Sequence, residues 1–202
     1  MSSEFPAAND KLFRHDLSDW TNNAILNYLA GKFPPYAAGY REGFNALITE
    51  CVAERGLNDI LIYPRVFLAR QYVELRLKEI IIGLDFCANG TNEFPKTHKI
   101  DKIWFQFKNL YQEIGESTSE LEFHNAEKII LEFATMDPLS MAFRYPVDKE
   151  GNNTLSISHI NIRNFGEVMN RLANFLDAIS DQIAHYADIT SDMYRDLYVS
   201  YE

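Results

Sequence analysis

The chain of 202 residues is 47% hydrophobic and 13% aromatic, enough apolar side chain to build one large core, which excludes an intrinsically disordered protein. Nineteen Lys and Arg against twenty-nine Asp and Glu leave a formal charge of -10, so the surface repels polyanions and nucleic-acid binding is disfavoured, a local basic pocket being the remaining route to RNA. Cys51 and Cys87 fit no metal-ligand or redox spacing, the N-terminus lacks a basic start followed by an apolar run, and no segment approaches roughly eighteen uninterrupted apolar residues; together these predict a cytoplasmic protein with reduced thiols and no membrane span.

Asp16 to Ala30 reads as a first helix, with Leu17, Trp20, Ala24, Ile25 and Leu29 at spacings of three and four, ended by Gly31 and Pro34-Pro35. A second helix runs from Tyr36 to Glu54 with Phe44, Leu47, Ile48 and Val52 inward and Gly56 closing it. Gly39 and Gly43 near its start predict close helix packing. Leu57 to Phe86 is apolar on nearly every side, the signature of a central helix. Asn89-Gly90 and Pro95 mark a loop, after which Thr97 caps a fourth helix reaching Ile114 with Trp104, Phe107, Leu110 and Tyr111 inside.

A fifth helix spans Ser119 to Met136, with Leu121, Ile129, Ile130 and Phe133 buried, and Asp137-Pro138 stops it. Met141 to Tyr145 and Leu155 to Ser158 are short enough to be strands, and Gly151-Asn152-Asn153 lies between them, so a small hairpin is predicted here. Asn164 to Tyr198 is the cleanest helix, its apolar residues falling in one arc from Phe165 through Leu176 and Ile183 to Leu197. No repeat or linker interrupts this pattern. The expected fold is all-α: a single domain over residues 1–202, a bundle of about six helices with a β-hairpin insertion near 141–158.

Two polar patterns stand out from the apolar periodicity. Arg70, Glu74 and Lys78 sit at four-residue steps on the third helix, where each is costly to bury alone; an i, i+4 ladder contributes about 0.2–0.5 kcal/mol per pair, and a polar pocket or dimer interface lined by Arg70 is the functional alternative. On the last helix Asp177, Asp181, His185, Asp188 and Asp192 fall within about 80° of arc, opposite the apolar stripe, as a solvated face or an acidic surface for a basic protein partner. His98 stands in the first turn after Thr97. His124 and Glu127 share a face with Glu120, but no Glu-x-x-His on another helix completes a carboxylate metal site, and no phosphate-binding glycine loop is present, so neither metal nor cofactor is expected.

The run Tyr63 to Glu79, in which Tyr72-Val73-Glu74-Leu75-Arg76-Leu77-Lys78 reads aromatic-x-E-L-x-L-K, is followed by Thr97-His98-Lys99-Ile100. This combination resembles HEPN-type domains, prokaryotic helical bundles, over Leu61 to Tyr111 and less closely over the last helix. The resemblance implies a homodimer whose subunits share a cleft, a place in toxin or anti-phage systems and, in active members, metal-independent RNA cleavage by an Arg followed after four to six residues by His. Here the three positions five to seven residues before His15, His98, His124, His159 and His185 hold no arginine. The expected function is therefore a non-catalytic, dimeric binding or regulatory component of a defence or stress system. One alternative is a metal-independent RNase using Arg70, His98 and Arg144; another is an interaction module using the acidic face of the last helix.

Overall fold

The computed structural model describes residues 5–14, 16–26, 32–53, 57–114 and 119–199, with the side chains of 49–53 and 197–199 excepted. The chain divides into two compact units, Met1–Lys32 and Phe33–Glu202.

In the first unit the Asp16 carboxylate accepts from the backbone and hydroxyl of Ser18 and caps a 3₁₀ helix, Leu17–Asn22. Asp19 within it leaves helical geometry at φ -121°, ψ 51°, and the Asn23 amide donates back to the carbonyls of Asp16 and Asp19. The expected helix from Asp16 therefore stops at Asn22: short Asp and Asn side chains bond locally to backbone groups and compete with the helical ladder. Leu17, Trp20 and Ile25 are exposed and form no buried stripe. Leu29, Ala30 and Gly31 lie outside the described residues, as do His15, Gly56 and the side chains of Val52 and Leu197.

The second unit holds α1 (Phe33–Ala53), α2 (Asn58–Asn89), α3 (Ile100–Glu113), α4 (Glu120–Met136) and α5 (Ile162–Val199). Pro34-Pro35 opens α1 instead of ending a helix before it, because the first turn has no intrahelical use for the missing N–H. α2 lies at the centre, against α1, α3 and α5, while α4 closes on α3 and α5. Val66, Val73, Leu77, Ile80, Ile81 and Leu84 of α2 meet Leu172, Leu176, Ile179 and Ile183 of α5 and Phe44 of α1 in one core. Beside it Trp104, Phe107, Tyr111, Phe123 and Phe175 form an aromatic cluster with neighbouring ring centroids 5.1–5.7 Å apart.

α2 crosses α5 closely at Gly83, where an added Cβ would lie 2.6 Å from Ile183 Cγ2. Gly43 packs closely as expected, 3.2 Å from Leu68 Cδ1, whereas Gly39 has open space. α2 continues three residues past Phe86 and closes at Gly90, whose φ of 69° suits glycine and lets its N–H return to the Phe86 carbonyl. No helix among the described residues is long and apolar enough to cross a membrane.

The expected β-hairpin does not form: among the described residues there is no strand, only an isolated bridge between Val147 and Asn153. The physical reason is side-chain competition for backbone groups. Asp137 Oδ1 accepts from the N–H of Met141 and of Ala142, coiling 141–145 into turns, and Thr154 Oγ1 lies 2.6 Å from the Tyr145 carbonyl and 3.1 Å from that of Ala142, where a ladder would need backbone donors. Asp148 likewise gathers the N–H groups of Glu150 and Asn152 into a tight turn.

Candidate functional site

Arg70, Glu74 and Lys78 project from one face of α2 at successive turns, and all three are buried, Arg70 at 0% and Glu74 at 2% exposure. A buried guanidinium is tolerated only when its donors are matched. Arg70 meets this on three sides: Nη1 donates to Glu74 Oε2 at 2.9 Å, Nη2 to the His98 carbonyl at 2.6 Å and Nε to the Asp137 carbonyl at 3.2 Å. It thereby ties α2 to the loop before α3 and to the end of α4. Lys78 Nζ donates to the other Glu74 oxygen, Oε1, at 2.9 Å.

His98 enters the same cluster from the loop that leads into α3. Its Nδ1 lies 2.8 Å from Glu74 Oε1 while the side chain remains 73% exposed. Burial is the largest influence on Glu74 and pushes its carboxyl up, but the hydrogen bonds from Lys78, His98 and Arg70 together outweigh it and hold the group below its ordinary value. Glu74 is thus an ionised acceptor, so Nδ1 is the donor of this contact. The result is a surface imidazole anchored through Nδ1 on a buried carboxylate that is itself clamped by two cations.

Of the residues singled out from the sequence, the fold brings together Arg70, Glu74, Lys78 and His98. Arg144 joins none of these ion pairs: its Nη1 donates to the Ser140 carbonyl at 3.4 Å, and its guanidinium lies 5.5 Å from the Phe67 ring centroid and 5.2 Å from that of Tyr145. Asp137 and Ser140, which the sequence reading passed over, frame the cluster. Asp137 is 1% exposed, and its Oδ2 has no hydrogen-bond partner; Ser140 adopts φ 59° and accepts from the Gln71 amide at 2.7 Å. An Asp-Pro helix stop was the only sequence signal at this position.

The acidic stripe of α5 divides. Asp181, His185, Asp188 and Asp192 are exposed, and Asp192 pairs with Arg195 one turn on. Asp177 is half-buried in a second cluster: it pairs with Arg41 of α1 and with Arg76 Nε at 2.9 Å, and its Oδ1 lies 2.7 Å from the Tyr72 hydroxyl. Arg76 also holds Glu79, which accepts from Ser180 of α5. Burial pushes Tyr72 up to about 12 and pushes Glu79 above its ordinary value despite Arg76. Tyr72, Arg76 and Glu79 stood in the sequence only as members of the Tyr63 to Glu79 run, and neither they nor Arg41 carried a signal for this pairing.

A largely apolar cleft of about 200 Å³ is lined by Val66, Phe133, Phe143, Ile160, Phe165 and Met169, with Glu132, Asn161 and Asn164 as its polar wall. Among the described residues no group of three or more His, Cys, Asp or Glu is arranged to hold a metal ion. Compared with family models, with curated proteins and with solved structures, the chain matches none.

Proposed function

We propose that this chain is a non-catalytic binding or regulatory component, cytoplasmic and homodimeric, of a prokaryotic or phage-related defence or stress system, in line with its resemblance to HEPN-type domains. The observation that carries the reading is the position of Arg70. Cleavage through a ribose 2′-hydroxyl needs a base for its proton and a cation for the charge developing on the phosphate. Arg70 is enclosed, and its donors go to Glu74 and two carbonyls, so it acts as a brace of the fold and reaches no bound phosphate. The apolar cleft supplies a binding surface of the size of a small ring or one large side chain.

The test is incubation of purified protein with varied RNAs, with and without EDTA, alongside light scattering of the free protein. The reading expects no cleavage and a mass of two chains. A second reading, a metal-independent RNase, is favoured by one specific observation, the Glu74–His98 pair with its open Nε2. Cleavage that survives EDTA and disappears in His98→Ala would replace the first reading with the second. A third reading, docking of a basic protein on Asp181, His185, Asp188 and Asp192, rests on the exposure of those four side chains and expects association that weakens with salt.

A further inference from the structure

We propose that His98 is a phosphoryl-acceptor site, taking a phosphoryl group at Nε2 from a small activated donor such as an acyl phosphate or a phosphoramidate. A histidine that accepts a phosphoryl group needs three things: a free nucleophilic nitrogen, a proton held on the other nitrogen, and positive charge for the transferred oxygens. His98 has each of them. Its ring is 73% exposed and no hydrogen bond within the described residues occupies Nε2. Glu74 fixes the proton on Nδ1, and Arg70 and Lys78 fix Glu74, so the tautomer is imposed by a buried frame instead of by a mobile surface residue.

The third requirement is met locally against the trend of the whole chain. In a protein of net charge -10, residues 96–102 read Lys-Thr-His-Lys-Ile-Asp-Lys, with Lys96, Lys99 and Lys102 exposed and free of ion pairs among the described residues, and Asp101 as the single opposing charge. These three ammonium groups, close in sequence to His98, supply local positive charge for a dianionic phosphoryl group. In the step itself the Nε2 lone pair forms the N–P bond as the donor's P–O or P–N bond breaks. The bonding pair leaves with the carboxylate or amine, and Nδ1 keeps its proton on Glu74, which faces the resulting phosphoimidazolium. The proposal adds a regulatory modification to the binding reading and does not depend on the apolar cleft.

The chain carries its own controls. His124, His159 and His185 are also exposed, and within the described residues none has a ring nitrogen paired with a carboxylate; His159 Nδ1 meets only the Ser158 hydroxyl. The full chain is treated with potassium phosphoramidate at neutral pH, and site-resolved phosphorylation is followed by ³¹P NMR and by mass spectrometry under conditions that keep phosphohistidine intact. The expected result is reaction at His98 about a hundredfold faster than at these three, the lower end of what a positioned partner group supplies. Glu74→Gln is expected to slow His98 alone, and His98→Gln to abolish the fast phase. Equal rates at His98, His124, His159 and His185 overturn the proposal, and this comparison within the wild-type chain decides the matter even where Glu74→Gln does not fold. Unchanged His98 reactivity in a folded Glu74→Gln protein also overturns it.

Discussion

Two carboxylates five residues apart on the same buried helix are driven in opposite directions. Glu74 is held below its ordinary value and Glu79 is raised above it. Both are taken out of water, and burial is the largest influence on each. What differs is the supply of donors. Glu74 has Arg70, Lys78 and His98 around two oxygens, whereas Glu79 has the Ser180 hydroxyl and Arg76, whose Nε also faces Asp177. Asp181 adds a like charge on the Glu79 side. One cluster is saturated with cations and braces a loop; the other spreads two arginines over two carboxylates to join α1, α2 and α5.

The largest effect should come from breaking the saturated cluster at its centre. Arg70→Met strands the Glu74 charge beside Lys78 and orphans the carbonyls of His98 and Asp137, a loss of about 3–5 kcal/mol for one partner of a buried pair. Urea unfolding followed by circular dichroism measures it, and a loss within the range of surface changes would mean that the brace is not structural. Gly83→Ala comes next. Its Cβ would press on Ile183 at the crossing of α2 with α5, costing about 1–3 kcal/mol of overpacking, set against about 1 kcal/mol gained in helix propensity. The strain should fall on the Glu79–Ser180 side and leave the His98 resonances unmoved in NMR spectra.

The pH dependence sharpens the same contrast. Glu74, with its folded value below the ordinary 4.5, contributes stability that is present above that value and is lost as pH falls through the depressed one. Glu79, with its folded value raised, contributes stability that is full below 4.5 and is lost as pH rises through the raised one. Glu79→Gln removes that loss, so its stability relative to wild type should improve as pH rises from 4.5, with an offset within about 1 kcal/mol. Glu74→Gln should be the costlier substitution at neutral pH and should flatten the acid limb. Unfolding curves of both variants across this range would break the comparison if the two behave alike. The smallest effect is expected for Asp192→Ala, whose exposed pair with Arg195 should change stability by less than about 0.5 kcal/mol. Binding of a basic partner to α5 should nevertheless weaken in that variant.

Much of the bundle was legible because long amphipathic segments declare themselves: α3, α4 and α5 begin and end within a few residues of their periodic runs, and Asp137-Pro138 stops α4 where expected. The sequence misled where short polar side chains decide the backbone. Asp16, Asp19 and Asn23 limit the helix that begins at Leu17 to a 3₁₀ stretch broken at Asp19 and ended at Asn22, and Asp137 and Thr154 replace a hairpin ladder. The site was half legible for a related reason. Arg70, Glu74 and Lys78 are neighbours by helical spacing alone, but His98 reaches Glu74 across 24 positions, and Arg41 reaches Asp177 across three helices. Spacing reveals partners along one helix; contacts between elements follow from packing, which a single sequence does not list.

The most direct test of the account is the tautomer of His98, read from two-bond ¹⁵N–¹H correlations of the folded protein at neutral pH. The account predicts a proton fixed on Nδ1 and an unprotonated Nε2, with His124, His159 and His185 lacking that fixed pattern. A His98 ring protonated on Nε2, or averaging between forms like the other three, would mean that Glu74 does not hold it, and both the clamped imidazole and the acceptor site built on it would fall.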